Sequence, residues 1–266
     1  MPDSSNSIFN SKSGNAVIVA FDYGANGTVH HEAKNPGATM EKFMSAQPDG
    51  VLSSPVLIHR FDNLYKKYPS VTPIATLDAI TRIPSLFGPM QMFSLDYAVQ
   101  LGARAVKCFL ISGQSDSKFF LENMQYVAKV GEQAHNKGVP FIVEAVNWGP
   151  EIPLEKKNDS EELHKVCRIA FDLGADVIKT EYTSDAESFK EITSCLQVPL
   201  MILGGSKGDL KDVFQRVREA LDAGARGVVF GRNVYKAESP AKMVRTLKAL
   251  VHDGLTPTEA IEVMNK

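Results

Sequence analysis

A single (β/α)8 TIM barrel, an α/β fold, is the architecture this sequence predicts, on three observations. From Asn15 onward, eight short apolar runs alternate with amphipathic helical stretches, as in parallel βα units. Leu101-Gly102-Ala103, Leu173-Gly174-Ala175 and Ala223-Gly224-Ala225 each place glycine where a helix must stop before a strand. Polar residues also gather just where the apolar runs end, as they do at the mouth of a barrel. A doubly wound sheet would share the alternation, and the count of eight favours the barrel.

The order of elements follows. Residues 1–14, rich in Ser and Asn, read as a flexible, solvated arm, and 15–266 as the barrel. Strands are expected at Ala16–Asp22, Gly50–Ser53, Ile74–Asp78, Ala105–Leu110, Phe141–Ala145, Val177–Glu181, Leu200–Leu203 and Gly227–Phe230. The clearest helices are Lys118–Asn136, Ser160–Leu173, Ala186–Leu196, Leu210–Ala223 and Pro240–His252. The Pro- and Gly-bearing stretch Trp148 to Asp159 is long enough to serve as a lid over the mouth. A chain of 266 residues fits one such barrel, which commonly takes about 250.

Composition narrows the function. With 44% hydrophobic and 23% charged residues the chain can bury a large core, and its formal net charge of -2 gives no general attraction for nucleic acid or anionic lipid. An anionic ligand must be caught locally. Cys108, Cys167 and Cys195 lack CxxC spacing and no secretory segment is evident, so a cytoplasmic protein is expected. No apolar stretch approaches the roughly 20 residues that span a bilayer.

The sixth strand carries the chemistry. Alternation puts Val177, Lys179 and Glu181 on one face and Ile178 and Thr180 on the other. An amine kept among apolar neighbours loses hydration of its charged form and becomes a nucleophile able to attack a carbonyl; the plain alternative is a strand-end lysine reaching into solvent. Gly102-Ala103-Arg104-Ala105-Val106-Lys107 repeats the spacing of Gly174-Ala175-Asp176-Val177-Ile178-Lys179, so Lys107 is expected at an equivalent height on the fourth strand. Glu144, sharing a face with Ile142 and Val146, is an inward carboxylate expected near Lys179 that could shuttle protons or pair with Lys107. Asp22, at the end of the first strand, is a candidate acid–base group or a turn cap. Asp78 has weaker support. Gly204-Gly205-Ser206-Lys207-Gly208 and Gly231-Arg232-Asn233 follow the seventh and eighth strands, where barrels commonly bind phosphate. His30-His31-Glu32 reads as a solvated loop because no second histidine cluster accompanies it. Trp148 and Tyr182 are candidates for the pocket lining or for plain packing.

Ala175-Asp176-Val177-Ile178-Lys179-Thr180-Glu181-Tyr182-Thr183, Ile202-Leu203-Gly204-Gly205-Ser206-Lys207 and Gly227-Val228-Val229-Phe230-Gly231-Arg232-Asn233-Val234-Tyr235 together resemble the archaeal-type class I fructose-bisphosphate aldolase family. That family includes aminodideoxyheptulosonate synthases and an autoinducer-2 phosphate thiolase. The resemblance implies a metal-independent, cofactor-free enzyme in which Lys179 forms an imine with a phosphorylated keto-sugar, Asp22 assists proton transfer, and Gly204, Gly205, Gly231 and Arg232 hold phosphate. It also implies homo-oligomers. Two departures stand out: Asp22-Tyr23-Gly24 replaces the usual Asp-His-Gly, and Val146 occupies the place of a fifth-strand tyrosine. Ala105-Val106-Lys107-Cys108-Phe109-Leu110 and Val143-Glu144-Ala145 look instead like tagatose-bisphosphate and sulfo-sugar phosphate aldolases, in which a fourth-strand lysine and a fifth-strand glutamate line the site. A class I aldolase releasing dihydroxyacetone phosphate and an aldehyde is therefore expected. Its rivals are a transaldolase or heptulosonate-type synthase, a keto-phosphate thiolase, and a non-catalytic sugar-phosphate-binding barrel.

Overall fold

The computed structural model describes residues 8–24, 26–81, 88–113, 117–150, 152–205 and 208–265. Its strands are β1 (Ala16–Ala20), β2 (Gly50–Ser53), β3 (Thr72–Thr76), β4 (Asp78–Thr81), β5 (Gly88–Gln91), β6 (Ala105–Ile111), β7 (Phe141–Val146), β8 (Val177–Thr180), β9 (Leu200–Leu203) and β10 (Gly227–Phe230). Eight of them, all parallel to their neighbours, close into a barrel in the order β1-β10-β9-β8-β7-β6-β3-β2. The (β/α)8 expectation holds. One element departs from it: the run read as Ile74–Asp78 leaves the barrel after Thr76, and Asp78 opens an antiparallel hairpin of β4 with β5.

The helices are α1 (Pro36–Met44), α2 (Pro55–Arg60), α3 (Asp62–Lys67), α4 (Leu95–Gln100), α5 (Ser117–Lys137), α6 (Ser160–Asp172), α7 (Ala186–Cys195), α8 (Leu210–Asp222), α9 (Arg232–Tyr235), α10 (Pro240–His252) and α11 (Pro257–Asn265). Asn35, Ser54, Ser94, Asp159, Asp185 and Asp209 each accept a backbone N–H of the first turn that follows them, meeting donors that have no partner inside the helix. Gly102, Gly174 and Gly224 end α4, α6 and α8 at φ of +101°, +91° and +99°. At each, the following alanine N–H reaches back to a carbonyl of the last turn, as Ala175 does to Ala170. Only glycine takes that left-handed turn without strain.

Inside the barrel the side chains stack in layers contributed by alternate strands. Ile18, Ile74, Ile142 and Met201 form one buried layer. With the tilt of a closed barrel, which steps each strand by about one residue against its neighbour's pairing, the next layer toward the mouth is Leu52, Lys107, Lys179 and Val229. The two lysines thus stand at the equivalent heights their repeated spacing predicts. Below the apolar layers the barrel is plugged by Ile8, 1% exposed and packed with the inner side chains. Within the stretch read as a solvated arm, Ser11, Lys12 and Gly14 are exposed but Ile8 is not, because an isolated apolar residue in a polar stretch finds the open base of the barrel. Residues 1–7 lie outside the described residues. The segment is pinned further by Ser13, whose Oγ lies 2.8 Å from His252 Nδ1, while His252 Nε2 lies 3.0 Å from Asp49. Among the described residues no helix is long and apolar enough to cross a membrane.

Replacing Ile8 with Ala is expected to cost about 2–4 kcal/mol in urea unfolding, the range for emptying a packed aliphatic site, with no change at the opposite, open end of the barrel. A solvated arm would tolerate the substitution without loss.

Candidate active site

Five charged side chains converge at the top of the barrel interior. Glu144 lies beside Lys179 in the β7–β8 pairing, and both face inward because the strand alternation places them so. Lys179 Nζ is 2.7 Å from Glu144 Oε1, and Lys107 Nζ is 3.2 Å from Glu144 Oε2. Lys107 also faces Asp78 at 3.6 Å and Asp22 at 3.8 Å. Two ammonium groups therefore meet three carboxylates. Lys179 is buried against Glu144, the inward carboxylate that the sequence reading expects near it, and not among apolar neighbours alone.

The two lysines differ in access. Lys107 is 0% exposed, with Nζ 3.1 Å from the centre of the Phe109 ring, and does not reach the cavity. Lys179, 5% exposed, lines a cavity of about 570 Å3 at the barrel mouth. Asp22, Glu144 and Glu181 line the same cavity.

Burial and charge set the protonation of the cluster. Burial works against the charge of Lys107, but Glu144, Asp78 and Asp22 together outweigh it and hold the ammonium above its ordinary range. Glu144 is held below the usual carboxylate range, the two lysines overcoming its desolvation. Asp78 goes the other way. Desolvation pushes it up to about 7, against the pull of Lys107 and of the Phe109 N–H that its Oδ2 accepts at 2.7 Å. Glu181 is also raised, by burial first, with the Trp148 indole, which donates to its Oε1 at 3.1 Å, opposing.

A second constellation, of glycines and guanidinium groups, forms the neighbouring wall. A side chain at Gly204 would strike Asn233, and one at Gly231 would strike the Ala20 carbonyl and Tyr23, so both positions require backbone alone. Gly205 turns at φ +64°. Arg232, at the start of α9, donates to the Gly205 carbonyl at 2.9 Å, and Arg216, from the middle of α8, donates to the Gly204 carbonyl at 3.2 Å. Each keeps a buried Nε without a hydrogen-bond partner, and both line the cavity. Arg216 is absent from the sequence reading, since an arginine on an amphipathic helix reads as solvated charge. Ser206 and Lys207 lie outside the described residues.

Other expectations resolve as follows. Trp148 lines the cavity beside Leu154, Lys157 and Asn158 of the lid stretch. Tyr182 touches the cavity, but its hydroxyl donates to Glu219 and its ring packs on Phe189. Val146 is buried with Ile80, Phe109 and Leu203 in an apolar collar. His30 packs against Tyr23 and Tyr235, and no metal-holding group of His, Cys, Asp or Glu occurs among the described residues. Tyr23 stands over Gly231, its phenol pushed up to about 12 by burial and by Asp22. Asp78, given little weight from sequence, is drawn into the cluster by the hairpin.

The profile of the DeoC/LacD family aldolases matches residues 16–237. The chain belongs to that family. It is 31% identical to a 2-amino-3,7-dideoxy-D-threo-hept-6-ulosonate synthase of Halobacterium salinarum, over 84% of this chain and 82% of the relative. A crystal structure of an archaeal fructose 1,6-bisphosphate aldolase superposes with a TM-score of 0.79 at 28% identity, covering 95% of this chain and 99% of that one. A further archaeal fructose-1,6-bisphosphate aldolase structure, whose catalytic Lys is covalently bound to the carbinolamine intermediate of its substrate, superposes with the same TM-score of 0.79 at 27% identity over 94% of this chain and 98% of that one. The family resemblance read from the sequence is borne out.

The raised Asp78 makes stability depend on pH. Its folded value of about 7 lies above the ordinary 3.8, so its contribution is intact below about pH 4 and is lost as pH rises toward 7, on the order of 1.4 kcal/mol per pH unit at most. Asp78→Asn keeps an acceptor for the Phe109 N–H and removes this dependence. Its stability relative to the parent is expected to rise through that window and level off above it, measured by denaturant unfolding at a series of pH values.

Proposed function

We propose that this chain is a class I, metal-independent aldolase that reversibly cleaves a phosphorylated ketose resembling fructose 1,6-bisphosphate into dihydroxyacetone phosphate and an aldehyde. The observation that carries the reading is the Lys179 amine, 2.7 Å from Glu144 and exposed to a cavity whose wall also holds the Gly204–Gly205 and Gly231–Arg232 cradle. Glu144 takes the ammonium proton of Lys179, and the free amine adds to the ketone carbon to give a carbinolamine. Loss of water leaves an imine, which serves as the electron sink; no metal or organic cofactor enters the cycle. Asp22 takes the proton of the hydroxyl beyond the scissile bond, the carbon–carbon bond breaks, and the aldehyde departs. Protonation and hydrolysis of the remaining enamine release the keto-phosphate. Lys107, with Lys179, keeps Glu144 ionised. Gly204, Gly205, Ser206, Lys207, Gly231 and Arg232, joined by Arg216, hold the phosphate. Homo-oligomeric assembly and a cytoplasmic location belong to the same proposal.

A second reading has one specific support, the 31% identity to the heptulosonate synthase. There the nucleophilic carbon formed on Lys179 would add to a different carbonyl acceptor, making the enzyme a transferase with the same amine and the same anion cradle.

Borohydride reduction in the presence of dihydroxyacetone phosphate or fructose 1,6-bisphosphate is expected to attach the substrate carbon skeleton to Lys179, read by peptide mass, and Lys179→Met is expected to abolish it. Arg232→Met should raise KM for phosphorylated substrates by roughly 10- to 100-fold, the value of a charge-assisted hydrogen bond. Should every keto-phosphate leave Lys179 unmodified, the binding-barrel alternative takes over. Labelling without cleavage, relieved by an added carbonyl acceptor, would favour the transferase.

A further inference from the structure

The proposed cycle leaves one step without a donor: water must depart from the carbinolamine, and that requires a proton delivered on the cavity side of Lys179. Glu144 is poorly placed for it. One of its oxygens is engaged by Lys179 and the other faces Lys107, so the carboxylate is held between the two ammonium groups. Asp78 is turned toward Lys107 and the Phe109 N–H and does not line the cavity. Val146 has no proton to give, and its neighbours in the collar, Ile80, Phe109 and Leu203, are apolar. Tyr23 is on the cradle side, packed over Gly231.

Glu181 remains. It follows Lys179 by two residues on the same inward face, so it stands one step nearer the mouth above the amine. It lines the cavity. The Trp148 indole N–H holds one of its oxygens, Oε1, at 3.1 Å, which fixes the carboxyl plane and leaves the other oxygen for a ligand.

We propose that Glu181 is the acid that expels water from the carbinolamine on Lys179, a role that rests on the Schiff-base reading above. In the step, the carboxyl proton of Glu181 passes to the carbinolamine hydroxyl. The carbon–oxygen bond breaks with its electron pair leaving as water, and the nitrogen lone pair forms the carbon–nitrogen double bond. Glu181 is left as a carboxylate beside the positive iminium, and it recovers the proton from the attacking water when the imine is hydrolysed. Its surroundings suit both forms. Burial favours the neutral acid and Glu144 reinforces it, whereas Lys157 from the lid stretch and Arg216 from α8 pull toward the anion. Lys179 adds its own positive charge once it has become the iminium. Trp148 is a positioning residue, since it acts only through Glu181.

The test is the rate of borohydride trapping by dihydroxyacetone phosphate as a function of pH. For the parent, trapping should fall at high pH as the acid is lost. Glu181→Gln, which preserves shape, is expected to slow trapping at least about 100-fold, the usual reach of general acid catalysis, to abolish the falling limb, and to leave equilibrium binding of inorganic phosphate unchanged. Trp148→Phe removes the donor that pulls Glu181 toward its anion, so the falling limb should move to higher pH; a packing role for Glu181 would not shift it. Glu181→Asp should restore a falling limb at reduced rate. Trapping of Glu181→Gln at the parental rate, or a falling limb that persists in it, overturns the inference while leaving the aldolase reading intact. A parent that no keto-phosphate labels removes both.

Discussion

A carboxylate shared between two buried lysines is the interaction on which this site depends. Glu144 on β7 stands in register with Lys179 on β8 and faces Lys107 on β6 with its other oxygen. Burying any one of these charges alone would be costly, and removing one partner of such a set leaves the others unpaired in a medium that solvates them poorly. The arrangement therefore holds together as a unit. Its inner half is electrostatic: Lys107, sealed under Phe109, does not line the cavity and is a buried positive charge that, with Lys179, holds Glu144 ionised. Its outer half is chemical, because only Lys179 of the two amines opens onto the cavity.

The barrel makes that burial possible by keeping water out from below. Apolar layers of Ile18, Ile74, Ile142 and Met201 lie under the lysines, and Ile8 closes the base. The charged side chains of the barrel interior, Asp22, Asp78, Lys107, Glu144 and Lys179, are thus gathered at one end. The hairpin β4–β5 contributes from the side. By turning away after Thr76 the chain aims Asp78 back into the interior, where its carboxyl accepts the Phe109 N–H that a continued strand would have left to another partner. Asp78, raised to about 7, lets the cluster lower its negative charge near neutrality without disturbing Glu144.

Much of this was legible in the sequence, and the parts that were not share a cause. Period-two alternation placed Lys107, Glu144 and Lys179 inside, and the recurrent Gly-Ala after three helices marked where strands begin. Both signals are local. Asp78 was undervalued because whether β3 continues or breaks depends on pairing with Gly88–Gln91, a tertiary choice. Arg216 was missed because amphipathicity sorts a helix into buried and solvated faces and has no category for a residue at the rim that reaches over a loop. Ile8 was missed because one apolar residue carries no period. Register between strands is non-local too, which is why alternation puts Glu144 near Lys179 but does not set the 2.7 Å contact between them.

The two walls of the cavity are chemically unlike, and in the proposed reaction that asymmetry orients the substrate. Arg216, Arg232 and the glycines of the cradle lie beyond β9 and β10, whereas the collar on the other side is Ile80, Phe109 and Val146, with Trp148 packed against it. An anion bound at the cradle brings the carbon atoms nearest the phosphate over Lys179, so the amine meets a ketone close to the phosphate and not one at the far end of the chain. The rest of the ketose must then extend past Asp22 and Glu181, where its hydroxyls find proton acceptors and donors. A substrate lacking the phosphate loses this alignment along with its binding energy, because the same contact both holds the molecule and selects the carbon that is attacked.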